Sequence, residues 1–151
     1  MRTLGNILWY FPFFGFINAI MFFLLGSLLV LTVVASPLGL GLIQYSKFLF
    51  APFSWSMVSK EDLNVESNPA WEAYSAIIMI LWIPFGIIFA LITITQIVGL
   101  AISIVGIPVA LVLAKSLRTI FNPVNMVCVP AVVAQEVQRR KDEDAINRHI
   151  R

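Results

Sequence analysis

Two long uncharged stretches dominate the chain, Thr3 to Ser46 and Ala73 to Ala114. Each is more than twice the roughly 20 residues that a helix needs to cross a bilayer core. Within them apolar residues fill every helical face, the pattern of helices surrounded by apolar material and not of an amphipathic soluble helix. The first stretch predicts a long helix from Ile7 to Val34, which Pro12 kinks or begins, because proline removes a backbone donor and crowds the preceding turn. Ser36-Pro37 then reads as a fresh start, with Ser36 as N-cap and Pro37 at the first helical position. Leu38 to Phe53 groups Gln44, Tyr45, Ser46 and Lys47. At about 16 residues and 1.5 Å each it reaches only roughly 24 Å, the length of an interfacial or re-entrant half-helix. The second stretch opens at Asn68-Pro69, a cap and a first-turn proline with Glu72 near the positive end of the helix dipole. It predicts a helix from Ala70 to Val105, a break at Gly106-Ile107-Pro108, and a shorter segment that carries Lys115 and Arg118 to Pro123.

The two stretches match each other. A shift of 71 residues, the distance from Pro37 to Pro108, also lays Lys47 on Arg118, Phe50 on Phe121, Pro52 on Pro123 and Phe14-Gly15 on Phe85-Gly86. Aliphatic coincidences are common in apolar runs, but prolines, a glycine and a lone cation recurring together report repeated architecture. The expected fold class is an all-α integral membrane protein of two tandem repeats, each a long transmembrane helix followed by a proline-initiated amphipathic or re-entrant half-helix. It forms one membrane domain over 1–151, with repeats at about 4–53 and 75–124, a hydrophilic linker at 54–74 and a charged tail at 135–151. Pro37, Pro108, Pro52 and Pro123 mark the helix breaks.

Composition narrows the picture. Hydrophobic residues make up 60% and charged residues 12% of the chain, and the single Cys128 excludes a disulfide framework or a cysteine metal cluster. His149 has no second ligand near it, so neither a metal nor a cofactor is expected. A formal charge of +2 gives no reason to expect nucleic acid. Arg2, the apolar run and Val33-Val34-Ala35 imitate a signal peptide, but the run far exceeds a signal core of about 7–15 residues and is expected to be retained. Trp55 on one side and Trp71 and Tyr74 on the other read as headgroup-layer residues flanking an aqueous linker. With one crossing per repeat, Arg2, Lys115, Arg118 and the five cations of the tail share a side, against Lys47 and Lys60 opposite. Positive residues favour the cytoplasm, so both termini are expected inside, the linker outside and the repeats inverted. A hairpin in each repeat, with the linker inside, is the rival arrangement.

The candidate functional residues follow from these helices. Gly86, Ala90, Thr93, Gln96, Gly99, Ser103 and Gly106 are spaced three or four apart and share one helix face. Such a stripe either packs helices closely or lines a water-accessible path in an oligomer. Lys47, Lys115 and Arg118 either anchor to lipid headgroups or favour anions. Two functions stand: an oligomeric channel or transporter-like subunit that moves inorganic ions, or a non-conducting scaffold that works through its linker and tail. No acid or base lies in the middle of either stretch, so a proton relay is not apparent. No enzyme is expected, because the chain has no HExxH, nucleophile and base set or phosphate loop. The tail pairs Glu136 with Arg140 and Arg140 with Asp144 at helical spacing.

Gly106-Ile107-Pro108 with Lys115 and Pro123-Val124-Asn125, echoed by Ser36-Pro37, Lys47 and Pro52-Phe53-Ser54, resembles the YccF family of bacterial inner-membrane proteins. The opening Arg2-Thr3-Leu4 and Asn6-Ile7-Leu8-Trp9 is similar as well, so the resemblance spans nearly the whole chain. The sequence departs from the family at Ala35-Ser36 and at Ser54 and Asn125, which replace glycines. The resemblance implies a two-copy domain, a multi-pass location in the inner membrane and no catalytic residues.

Overall fold

The computed structural model describes residues 2–11, 14–64, 66 and 68–150. Its helices are α1 (Arg2–Tyr10), α2 (Gly15–Leu31), α3 (Ser36–Phe50), α4 (Pro69–Ile102), α5 (Ile107–Phe121) and α6 (Ala131–Ile150). Strands β1 (Trp55–Ser59) and β2 (Met126–Pro130) follow α3 and α5. The fold is mostly helical, but the all-α expectation missed these strands, one of which lies inside the linker. The starts and ends of α3 and β1 recur 71 residues later in α5 and β2, and Leu31, which ends α2, corresponds to Ile102, which ends α4.

The helix expected from Ile7 to Val34 is two helices, α1 and α2, whose axes differ by 82°. Pro12 lies outside the described residues. The spacing of tryptophan and glycine distinguishes this bend from the corresponding α4, which is one continuous helix. Trp82 and Gly86 are four apart and share a face of a continuous helix that tolerates Pro84. Trp9 and Gly15 are six apart and would face different ways on one helix. The bend brings the Trp9 ring onto Gly15, where a Cβ would lie 1.8 Å from a ring carbon.

Helix starts agree with the prolines. Asn68 caps α4, its side chain accepting from the Ala70 N–H at 3.0 Å, and Pro37 and Pro108 sit in the first turns of α3 and α5. Ser36 is not a cap: Ala35 holds that position without a side-chain bond, because Ser36 is already helical. Gly26 and Gly39 bring α2 and α3 into backbone contact, and a Cβ at Gly39 would fall 2.6 Å from the Gly26 carbonyl oxygen. Small residues permit such approach where water supplies no force between helices.

The core forms where α2, α3, α4 and α5 meet. Phe22 packs edge-on against Tyr45 at 4.9 Å and also touches Phe89 at 5.2 Å, while Phe89 stacks on Trp82 at 5.7 Å. Tyr74 bonds the Val34 carbonyl, Phe89 meets Phe22, and Gln96 meets Asn18. Numbers rising along α4 thus meet numbers falling along α2 and its loop, so α4 runs antiparallel to α2. Most large residues on the outer faces of α2 and α4 are apolar and exposed. Among the described residues α4 and the span Ile104–Phe121 are long and apolar enough to cross a membrane, and α1 with α2 would make a third such span. After the Gly-Ile-Pro break α5 has 15 residues, the length of the half-helix expected, and the helical turn Ile104–Gly106 before it brings the apolar span to 18 residues.

β1 and β2 pair antiparallel, with Met57 opposite Cys128. Lys60 N–H donating to Asn125 O at 2.9 Å and Ala131 N–H to Ser54 O at 3.0 Å extend the ladder at both ends. Lys141 adds an ion pair to Asp62, and Asn6 of α1 donates to Ser54 Oγ at 2.9 Å. The linker strand, the start of the chain and the tail therefore meet at one place. The expectation of a linker outside and a tail inside is corrected, since bonded groups cannot lie on opposite sides of a bilayer core about 30 Å thick. Counting cations could not reveal this pairing between strands far apart in sequence.

Two tests follow from this geometry. Gly39→Ala should destabilise by about 1–3 kcal/mol, the usual cost of overfilling a packed contact. A Cβ at Gly99 meets nothing within 4 Å, so Gly99→Ala should leave stability unchanged or slightly raised. Thermal midpoints of the two variants in detergent check this, and equal midpoints would contradict it. Cysteines placed at Glu61 and Ala145 should both react with a membrane-impermeant maleimide from the same side of sealed vesicles; reaction from opposite sides would refute the shared face.

Candidate functional site

The small and polar stripe of α4 divides along its length. Gly86, Ala90 and Thr93 are buried, Gln96 is half-buried, Gly99 and Ser103 are exposed, and Gly106, beyond the end of the helix, is buried. Gly86 faces the Ile120 carbonyl and the Trp82 indole, with 3.2 Å from its would-be Cβ to that oxygen. Thr93 turns its hydroxyl back to Phe89 O at 2.9 Å, as threonines in apolar helices do. Asn18 donates to Gln96 Oε1 at 3.4 Å. Asn18, Tyr45, Thr93 and Gln96 border a cavity of about 20 Å³, room for about one water molecule. Gly106 starts α5 against the end of α4, where a Cβ would lie 2.3 Å from the Leu100 carbonyl oxygen.

Below this cavity the buried Tyr45 and Ser116 hydroxyls are 3.3 Å apart. Ser116 donates to Leu113 O at 2.7 Å, which leaves Tyr45 as the donor to Ser116. The two residues are 71 apart, like Lys47 and Arg118. A similar pair of bonds closes the ends of α3 and α5: Trp9 Nε1 donates to Leu49 O at 2.7 Å and Trp82 Nε1 to Ile120 O at 2.9 Å. Both satisfy carbonyls of a helix's last turn, which have no partner within the helix. Neither tryptophan was singled out from the sequence, although the shared Trp-Pro-Gly order near Gly15 and Gly86 was a usable signal.

Pro52 and Pro123 lie in the turns after α3 and α5, and both are buried. Ser54 and Asn125, at the ends of these turns, need no left-handed backbone, since neither has positive φ. Their carbonyls instead accept the two bonds that extend the sheet. Lys47 lies over the Trp55 ring, 4.2 Å from its centroid, as a cation–π contact. Lys115 and Arg118 border a cavity of about 660 Å³ between α5, β1 and α6, together with Asp62 and Lys141. The sequence suggested the two cations but not the wall that α6 supplies.

On α6, Glu136 pairs with both Arg139 and Arg140. Hydrogen bonds from Arg139 and then Arg140 hold its carboxyl at about 2. Arg140 reaches back to Glu136 and forms no pair with Asp144 among the described residues, while Arg139 spans both turns, from Glu136 to Glu143. Cys128 is buried on β2, where its N–H donates to Gln44 Oε1 at 3.3 Å. Burial pushes its thiol up to about 11, against the nearby charge of Lys47.

Long apolar helices with exposed apolar faces, capped by a small sheet and a charged helix, define an integral membrane protein. Residues 4–55, from α1 to the start of β1, match the model of the YccF inner membrane component domain. The match covers the first of the two similar stretches and ends before α4. Comparisons with curated proteins and with solved structures give no significant match.

A buried thiol with a raised pKa is protonated and shielded at neutral pH. Cys128 should therefore resist maleimide at pH 7.5 in the folded protein and react once the chain is unfolded in dodecyl sulfate; rapid labelling of the folded protein would place it elsewhere.

Proposed function

We propose that this chain is a non-conducting component of the inner membrane, built from two copies of the YccF unit and presenting its sheet and α6 to the cytoplasm. The observation that carries this reading is the fate of the α4 stripe. Gly86, Ala90 and Thr93 are consumed by packing within a single chain, and the polar space beside Gln96 amounts to about 20 Å³. A path for hydrated ions needs a continuous polar lining, and these residues have none to offer.

The two-copy reading is supported by the element bounds that recur at 71 residues, by the Tyr45–Ser116 and Met57–Cys128 pairs at that same separation, and by the matching indole bonds. Orientation follows from charge. Lys60, Lys115, Arg118 and the cations of α6 gather around the sheet, and positive residues favour the cytoplasmic side. The chain's exposed charged helix then serves as the contact for an aqueous partner.

A channel formed by several copies is the second reading. It is favoured by the exposed end of the stripe, where Gly99 has open space and Ser103 lies at the surface. Ion flux through proteoliposomes separates the two. The purified protein should give no flux above that of empty liposomes at any applied voltage or pH, and flux that Ser103→Trp blocks would replace the scaffold reading with the channel.

A further inference from the structure

We propose that the cavity between α5, β1 and α6 binds a phosphate group, with Lys115 and Arg118 as its cationic contacts. The cavity is about 660 Å³, within the range of small-molecule sites. Four charged residues border it, and they do not cancel. Lys141 is paired with Asp62, whereas Lys115 and Arg118 form no ion pair among the described residues. Two exposed cations therefore line an open cleft with no anion paired to them among the described residues, its one carboxylate, Asp62, being held by Lys141.

Their spacing suits phosphate. Three residues apart on α5, they lie on one face about one turn from each other. A guanidinium offers a planar fork that grips two phosphate oxygens, and an ammonium adds a compact charge beside it. The lining is partly apolar, with Phe53 and, on α5 itself, Val112 among its residues. A hydrophobic part attached to the phosphate would find cover there, next to helices whose outer faces are apolar. A phospholipid headgroup and free inorganic phosphate share the chemistry that Lys115 and Arg118 recognise. The site stands whether or not the chain conducts ions.

The test uses the full chain in nanodiscs of phosphatidylcholine alone or with one part in three phosphatidylglycerol, read by native mass spectrometry and by thermal midpoint. Inorganic phosphate is titrated into the phosphatidylcholine sample as a separate arm. The Lys115→Gln/Arg118→Gln variant should bind roughly ten- to thirty-fold more weakly, as expected when two cations near a membrane surface are lost. Arg148→Gln, near the far end of α6, should bind like the wild type. Retention of phosphatidylglycerol that the double variant loses assigns the site to a lipid headgroup. A midpoint raised by inorganic phosphate and lost in the double variant assigns it to a soluble ligand. The proposal is overturned if neither ligand binds in preference to phosphatidylcholine, or if the double variant, shown by circular dichroism to be folded, binds as tightly as the wild type.

Discussion

The backbone ladder between β1 and β2 holds the rest of the structure in place. It joins the ends of α3 and α5, and bonds from Lys60 and Ala131 lengthen it on both sides. Everything at the polar face depends on it. The ladder sets the start of α6, which in turn brings Lys141 to Asp62 and walls the cationic cavity. A two-stranded ribbon is marginal by itself in water. Here it rests on α3, where Gln44 takes the Cys128 N–H that the ladder leaves free.

Beneath the sheet, an apolar interior imposes a strict rule: polar groups must find partners inside the protein. The chain meets it locally and with few residues, although the buried hydroxyls of Ser75 and Thr119 have no partner among the described residues. Indole N–H groups take carbonyls at the ends of α3 and α5, Thr93 and Ser116 bond within their own helices, and Tyr45 reaches Ser116. Glycines then decide how closely helices approach. Gly26 and Gly39 put two backbones in contact, whereas Gly99 faces open space. Position in the fold, and not glycine as a residue type, determines which of them bears on packing.

Function follows from the same distribution of polar groups. In the helical part Asn18 pairs with Gln96 and Tyr45 with Ser116 around a very small cavity, while the cations Lys115 and Arg118, without an ion pair among the described residues, lie at its edge beside a large one. Chemistry aimed at a ligand is therefore concentrated at the polar face, next to the sheet, and not along the axis of the helices.

Composition and spacing by themselves determined that the chain enters a membrane and that Pro37, Pro69 and Pro108 open three of its helices, because apolar runs and prolines act within a few residues of backbone. They also made the 71-residue correspondence visible and marked Lys115 and Arg118 as cations at an apolar boundary. Local signals could not show the strands, since WSMVS and MVCVP are short and become strands only when each meets the other. They could not divide the α4 stripe either: Gly86 and Gly99 look alike in sequence, and only the helices that pack on one and not the other separate them. The side on which the linker lies was likewise decided by tertiary structure. Charge counting assumes that each segment sits independently in the bilayer, and a hydrogen-bonded ladder between distant segments overrides that assumption.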